Sequence, residues 1–208
     1  LKLEILPIKL LTMNEAGLTL GNCTRGLLPY HEIERLGRYN HNCVIPWYFS
    51  ARPELKGTGD GGFEFDWRGF DLFMKACRGN DINYIFWFLG ENPYGFPRTM
   101  KLEQTLAMAA LGLDQKGADA LLWEKPDSVN SRLRPLVVEW AGRVREHALA
   151  NNWPKLNVTP FDEPAKWIQS ARRWEQMRAY TDTLTFIKSH FIDMRNLLKE
   201  GNSDFIIS

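Results

Sequence analysis

Short apolar runs alternate with segments whose apolar residues recur at helical spacing from about residue 17 onward, and this alternation limits the possible folds. The runs Cys43–Phe49, Ile82–Leu89 and Leu156–Phe161 are continuous, which is typical of strands in a parallel sheet covered on both faces. Repeated strand–helix alternation favours parallel β/α packing. The pattern predicts an α/β fold and leaves open a (β/α) barrel or a doubly wound sheet.

Apolar and capping patterns place the individual elements. We predict strands at Leu18–Cys23, Cys43–Phe49, Ile82–Leu89, Leu156–Phe161, Met194–Leu198 and Phe205–Ile207. The predicted helices are Tyr30–Tyr39, a helix capped by Asp66 and ending near Gly79, Leu102–Leu111, Arg132–Ala150, and a long helix with a stripe from Met177 to Phe191. The connection from Gly90 to Asn130 is long, with a short apolar run at Ala120–Trp123, and connections of this length are usually functional.

The charge balance and the spacing of possible ligands exclude several classes of function. Lys and Arg total 26 against 25 Asp and Glu, so we expect no nucleic-acid partner. No apolar run approaches the ~20 residues of a membrane helix, so we expect no membrane span. The three cysteines and four histidines lack the spacing of a metal site, and we predict neither a metal nor a cofactor. The cysteines are expected to be small buried apolar residues.

A glycine-rich stretch formally matches a dinucleotide-binding motif. Gly57, Gly59 and Gly62 have the spacing G-x-G-x-x-G, but no predicted strand ends just before them and no helix begins at the third glycine. We therefore predict a flexible loop or a hairpin turn there.

Two adjacent carboxylates, Asp162 and Glu163, follow the predicted strand Leu156–Phe161, and Pro164 comes next. In parallel β/α folds the chemistry gathers at the carboxyl ends of strands, where two carboxylates can divide substrate orientation and proton transfer between them. Acidic residues and an early proline are also favoured at the start of a helix. On position alone, a catalytic pair and a helix cap both remain possible.

Aromatic and polar residues near other strand ends are candidates for contacts with a sugar, because aromatic faces bury the C–H-rich faces of sugars. Each aromatic residue could instead pack in the core, and Glu91 could lie in a solvated loop. The candidate substrate-binding residues are Trp47, Tyr48, Trp87, Glu91, Asn92, Trp123 and Trp167.

The segment Val158–Pro164, which reads Val-Thr-Pro-Phe-Asp-Glu-Pro, resembles the catalytic region of glycoside hydrolase family 123 and its uncharacterised relatives. A helix that contains Trp140 and ends at Asn152-Trp153-Pro154 precedes it. The stretch Phe63–Trp67, with the following helix and the strand Tyr84–Leu89, is similar to the upstream part of that barrel. The likeness covers most of the chain in order, and the Asp-Glu-Pro run is its only sharp motif.

The resemblance implies a glycosidase that acts on N-acetylhexosaminides by a substrate-assisted retaining mechanism. Glu163 would be the general acid/base, and Asp162 would orient the 2-acetamido group that serves as nucleophile. The partner would be an oligosaccharide or glycoconjugate, and the resemblance favours a secreted or periplasmic location.

The resemblance also implies a TIM-type parallel (β/α) barrel. Such a barrel typically needs ~250 residues, and we count about six strands among these 208, so we expect an incomplete barrel over residues 17–208. Residues 1–16 include Leu3–Leu10, which resembles the connector that such proteins place after an N-terminal domain, so we expect residues 1–16 to be a connector from a missing N-terminal domain. A non-catalytic carbohydrate-binding protein, or a structural remnant of such a barrel, is the alternative function.

Overall fold

The computed structural model describes residues 11–24, 26–46, 52–90, 100–125, 127–160 and 189–207, without the side chains of 206 and 207. Its strands are β1 (Gly21–Thr24), β2 (Cys43–Pro46), β3 (Glu54–Gly57), β4 (Phe63–Asp66), β5 (Tyr84–Phe88), β6 (Lys155–Thr159) and β7 (Ile206–Ile207). Its helices are α1 (Tyr30–Arg38), α2 (Arg68–Gly79), α3 (Lys101–Leu111), α4 (Gln115–Trp123), α5 (Arg134–Ala150) and α6 (residues 189–201).

Five strands form one parallel sheet in the order β1-β2-β5-β6-β7, so neighbours in the sheet follow one another along the chain. A doubly wound sheet reverses direction at a switch point, and the described strands show no such reversal. β1 and β7 end the sheet, so a closed barrel is not seen within the described residues. The fold is α/β with a parallel sheet wound in one direction.

The remaining two strands, β3 and β4, form an antiparallel hairpin inserted between β2 and α2. Its turn contains the glycine-rich stretch, in which Gly59 and Gly61 adopt positive φ. The prediction of a hairpin turn there is confirmed. Hairpin turns favour glycine at such positions because a Cβ would be strained.

Three helices end in the same way before three strands of the sheet. Asn40, Asp81 and Asn152 each have a positive φ of 50–64°, and each lies a few residues before β2, β5 or β6. Asn and Asp tolerate the left-handed conformation better than most residues, and it ends a helix and redirects the chain. The strands are thus entered by similar local geometry.

Trp87 lies at the centre of the core. Its ring centroid is 5.2 Å from that of Phe70 on α2 and 5.3 Å from that of Trp140 on α5. Ile85 and Trp87 are buried, whereas the alternate residues of β5 are only half-buried. We expected both faces of this strand to be covered. The face toward α2 and α5 is fully buried, whereas the opposite face is only partly buried.

The hairpin packs on α5 through a row of aromatic and cationic side chains. The guanidinium of Arg143 lies 5.1 and 5.0 Å from the ring centroids of Phe63 and Phe65. Trp67 stacks on Phe65 and on His147, with 4.0 Å between ring centroids in both pairs. Arg143 and His147, four residues apart, lie on one face of α5, and they contact every second residue from Phe63 to Trp67. These spacings are those of a helix face and of one face of a strand.

Most predicted elements that fall on described residues are confirmed within a few residues, with three differences. The predicted long helix with its stripe from Met177 to Phe191 lies almost wholly outside the described residues, which resume at residue 189. Met194–Leu198, predicted as a strand, is helical, because Met194, Leu197 and Leu198 have the i, i+3, i+4 spacing of a buried helix face. The run Ala120–Trp123 is the last part of α4. Asp66 is predicted to cap α2, but it is the last residue of β4, and Trp67 is the N-cap of the helix. The Asp66 side chain still accepts a hydrogen bond from the backbone N–H of Arg68, at 3.3 Å.

The cysteine prediction is confirmed for Cys43 and Cys77, which are buried, and wrong for Cys23, which is exposed on edge strand β1. Among the described residues, no helix is both long and apolar enough to span a membrane. The predicted connector at 1–16 falls largely outside the described residues, which begin at residue 11.

Candidate functional site

The carboxyl ends of the parallel strands meet at one edge of the sheet, where the sequence predicts the chemistry. β5 ends at Phe88 and β6 at Thr159, which are paired in register. Beyond them, the Leu89 N–H donates to the Thr159 carbonyl oxygen at 2.9 Å. Thr159 is a buried polar residue at this edge, and Asp162 and Glu163 follow it in sequence by three and four positions.

Seven of the nine predicted site residues lie outside the described part of the chain. These are Asp162, Glu163, Trp47, Tyr48, Glu91, Asn92 and Trp167. Their roles therefore stay predictions.

Trp87 and Trp123 are described, and they differ in exposure. Trp87 is fully buried between Phe70 and Trp140, so it packs the core and offers no ring face to a substrate. This corrects its assignment as a sugar contact, and the reason is that its side chain points to the helix-covered face of β5. Trp123 lies at the end of α4 with 54% of its surface exposed, and its assignment stays a prediction.

A cleft of about 920 Å³ is lined by residues from connections that leave three strands of the sheet. Leu27 follows β1, Arg52 follows β2, and Lys101 opens the helix that follows β5. One wall is a stripe on α3, and another contains the base of the hairpin and the first turn of α2. The remaining lining residues are Glu54, Asp66, Arg68, Gly69, Phe70, Gln104, Thr105, Met108 and Gln115.

The charges in this cleft are partly paired with one another. Arg68 donates to Asp66 from Nε at 2.9 Å and from Nη2 at 2.5 Å, and Lys56 Nζ lies 3.7 Å from the same carboxylate. The hydrogen bonds from Arg68 hold the pKa of the Asp66 carboxyl well below its usual range. Asp66 is therefore an anion at neutral pH and is not suited to donate a proton.

A buried acid–base pair lies close to the same edge of the sheet. His190 Nε2 is 2.7 Å from Glu103 Oε1, and the two side chains are 1% and 2% exposed. Glu103 is in the first turn of α3, and the adjacent Leu102 N–H donates to the Leu89 carbonyl oxygen at 3.3 Å. The pair is thus connected through backbone hydrogen bonds to the end of β5 and, through Leu89, to the end of β6.

Sequence reasoning missed this pair, since the two residues are 87 positions apart. The available signal was Glu103 itself, which lies between two apolar residues of α3, Leu102 and Leu106, on a side where a carboxylate needs a buried partner. The part of the chain that the structure describes holds no group of three or more His, Cys, Asp or Glu side chains that could bind a metal ion.

Comparison of the chain with protein-family models, with curated proteins and with solved structures found no match in any of the three.

Proposed function

We propose that this chain is the catalytic region of a glycoside hydrolase that acts on N-acetylhexosaminides through a substrate-assisted retaining mechanism. The supporting observation is that β6 is an internal strand of a parallel sheet and that Asp162 and Glu163 follow its carboxyl end. In β/α enzymes this edge of the sheet holds the catalytic groups.

The finer architecture that we propose is a TIM-type (β/α) barrel. Chain-order neighbours in the sheet, all parallel, are what such a barrel requires. The half-buried Phe86 and Phe88, whose ring centroids are 5.4 Å apart, lie on the face of β5 opposite Trp87. In a closed barrel that face would be the packed interior.

The proposed mechanism assigns separate work to the two carboxyl groups. Glu163 donates a proton to the glycosidic oxygen while the acetamido carbonyl oxygen attacks the anomeric carbon, so the C–O bond to the leaving group breaks and the leaving group departs with the proton. Asp162 accepts a hydrogen bond from the acetamido N–H and stabilises the developing positive charge. Water then attacks the anomeric carbon while Glu163 accepts a proton from that water. This attack opens the ring that the acetamido group had closed onto the anomeric carbon, and the product retains its configuration.

The cleft of about 920 Å³ is a place for the part of the substrate beyond the reacting sugar. Its lining includes Arg52, Arg68 and Lys101 beside Glu54 and Asp66, and such polar groups can hydrogen-bond sugar hydroxyls. We assign it a binding role only, because the anionic Asp66 is held by Arg68.

The test is hydrolysis of aryl and natural N-acetylhexosaminides by the wild type and two variants. Glu163→Gln should lower kcat/KM about 10²–10⁴-fold on substrates with poor leaving groups and less on activated aryl glycosides, which need little acid assistance. Asp162→Asn should impair both substrate types, because the internal nucleophile is then misaligned. Glu34→Gln is the matched control, since Glu34 is on α1 and pairs only with Arg38 in the described contacts.

Other outcomes separate the competing hypotheses. A thiazoline mimic of the cyclised intermediate should inhibit the wild type, whereas full activity on a sugar lacking the acetamido group would indicate an enzyme-borne nucleophile. Binding of hexosaminides without hydrolysis would support the alternative, a carbohydrate-binding protein or a structural remnant of a barrel.

A further inference from the structure

We propose that the cleft of about 920 Å³ contains a subsite for an uncharged sugar unit, and that Gln104 and Gln115 supply its fixed hydrogen-bond acceptors. Both glutamines line the cleft, Gln104 on α3 and Gln115 at the start of α4. Asp119, one turn along α4 from Gln115, holds the two side chains. The choice of ligand rests on the proposed function, whereas the arrangement of the acceptors follows from the contacts of the three residues.

The orientation of the two amides follows from the chemistry of the group that they contact. The Nε2 atoms of Gln104 and Gln115 lie 2.6 and 2.7 Å from the same oxygen, Asp119 Oδ1. A carboxylate oxygen accepts hydrogen bonds and has no proton to donate, so each amide turns its NH2 group toward Asp119. The side-chain carbonyl oxygen of each glutamine, Oε1, is therefore turned away from Asp119.

Gln104 is the more informative of the two glutamines because it is almost completely buried. Only 3% of its surface is exposed, and yet it lines the cleft. Its Oε1 atom has no hydrogen-bond partner within the described part of the chain. This atom is not one of those that are shut off from solvent without a partner, so it is open to the cleft. A ligand that donates a hydrogen bond there would satisfy a polar group that the protein itself leaves unpaired.

The same wall of the cleft offers a hydroxyl oxygen and an apolar surface. Thr105 and Met108 line the cleft beside Gln104, at the spacing of one helix face. The Thr105 hydroxyl donates to the Lys101 carbonyl oxygen at 2.7 Å, so its own oxygen can still accept. Met108 is 41% exposed and provides apolar surface. Acceptors beside an apolar surface match a sugar, which has hydroxyl donors and a C–H-rich face.

The charges around the cleft favour a ligand without a net charge. Three cationic side chains and two carboxylates line the cleft, and Arg68 is bonded to Asp66. An anionic ligand would meet Glu54 and Asp66 as well as the glutamine carbonyl oxygens, and a cationic ligand would meet the three cations. Like charges brought together in this way disfavour binding. A neutral, hydroxyl-rich ligand avoids both penalties.

The test is titration of the isotope-labelled full chain with mono- to tetrasaccharides of N-acetylglucosamine and of N-acetylgalactosamine, followed by NMR. The side-chain NH2 signals of Gln104 and Gln115 report on the subsite directly. We expect both signals to shift on titration, with the same Kd as the backbone signals of α3. Absence of binding by every saccharide, or binding that leaves both side-chain signals in place, would overturn the proposal.

Variants separate an acceptor from the residue that positions it. Gln104→Leu should raise Kd about 3- to 10-fold, which corresponds to the loss of one neutral hydrogen bond. Asp119→Ala should raise Kd to a similar extent, whereas Asp119→Asn keeps an acceptor oxygen and should restore most of the affinity. Asp204→Ala is the matched control, since Asp204 pairs with Arg145 and neither residue lines the cleft. Equal Kd values for the wild type, Gln104→Leu and Asp119→Ala would overturn the proposal.

Failure of the subsite and failure of the proposed function give different results. Saccharide binding at Gln104 and Gln115 without hydrolysis would support the subsite and refute the glycosidase. Hydrolysis with unchanged KM in Gln104→Leu and Asp119→Ala would support the glycosidase and overturn the subsite. Should a variant fail to fold, the wild-type titration decides the question, because it needs no substitution.

Discussion

The thiols of Cys43 and Cys77 illustrate how position in the fold changes the chemistry of a single residue. Burial raises the pKa of the Cys43 thiol to about 11 and that of the Cys77 thiol to about 12, because the thiolate loses its hydration. Cys23 is exposed on an edge strand. The three cysteines, equivalent as letters in the sequence, are thus two inert core residues and one accessible thiol.

We expect the two buried thiols to make the fold less stable in alkali. Their folded pKa values lie above the ordinary value of 9.0, so their contribution to stability is complete below about pH 9 and is lost as pH rises through about 11 to 12. Urea unfolding from neutral pH to about pH 11 should show a steeper decline for the wild type than for Cys77→Ala. Cys23→Ala is the control and should keep the wild-type decline; equal slopes for the wild type and Cys77→Ala would contradict the prediction.

At the scale of elements, the hairpin of β3 and β4 is held between close backbone packing and side-chain stacking. The Cβ of any residue other than glycine at position 57 would collide with the Ala109 carbonyl oxygen of α3. On the other side of the hairpin, Arg143 of α5 packs on the rings of Phe63 and Phe65, and His147 stacks on Trp67. The hairpin base lines the cleft, so this packing also fixes one wall of it.

Replacing Gly57 with alanine should therefore destabilise the protein by about 1–3 kcal/mol, because backbone cannot move aside as a flexible side chain can. Chemical denaturation of the variant measures this. Gly69→Ala is the matched control: Gly69 is in the first turn of α2, where an added Cβ meets nothing within 4 Å, so no loss is expected. An unchanged free energy of unfolding for Gly57→Ala would show that β3 does not press on α3 in solution.

At the scale of the whole molecule, one apolar core joins the sheet to its helices. Ile33 of α1, Met74 of α2, Leu106 of α3 and Val144 of α5 belong to the same cluster as Ile85 and Trp87 of β5. The core also includes Leu197 of α6 and Phe205 before β7. A change at its centre should therefore affect all of these elements together.

Trp87 is the position at which to test that unity. Trp87→Ala should cost about 3–5 kcal/mol through the cavity it leaves, and Trp87→Phe less, because a ring still fills the space between Phe70 and Trp140. Far-UV circular dichroism and tryptophan fluorescence should report one transition that shifts as a unit in each variant. If the two probes separate in the wild type, the described elements do not share a single cooperative core.

Local sequence pattern by itself determined most helices and the types of most strands. The stripe that includes Leu136, Val137, Trp140 and Val144 predicted α5, and all four residues are buried. The continuous run at 82–89 predicted β5. The Asp162–Glu163 pair and five further site residues lie outside the described residues, so for the predicted site the sequence still carries the argument alone.

Only the tertiary structure decided which residues meet. The local pattern allowed either a barrel-like or a doubly wound sheet. The strand order of the described sheet follows the chain without the reversal that a doubly wound sheet has. Tertiary packing also placed the Trp87 side chain on the helix-covered face of β5, and it brought Glu103 into contact with His190, 87 residues away in the sequence. Met194–Leu198 became helical because its buried face packs with the core, a preference that a short apolar run does not reveal. Periodicity is set by neighbours in the chain, whereas these outcomes depend on contacts between distant segments, which no local pattern encodes.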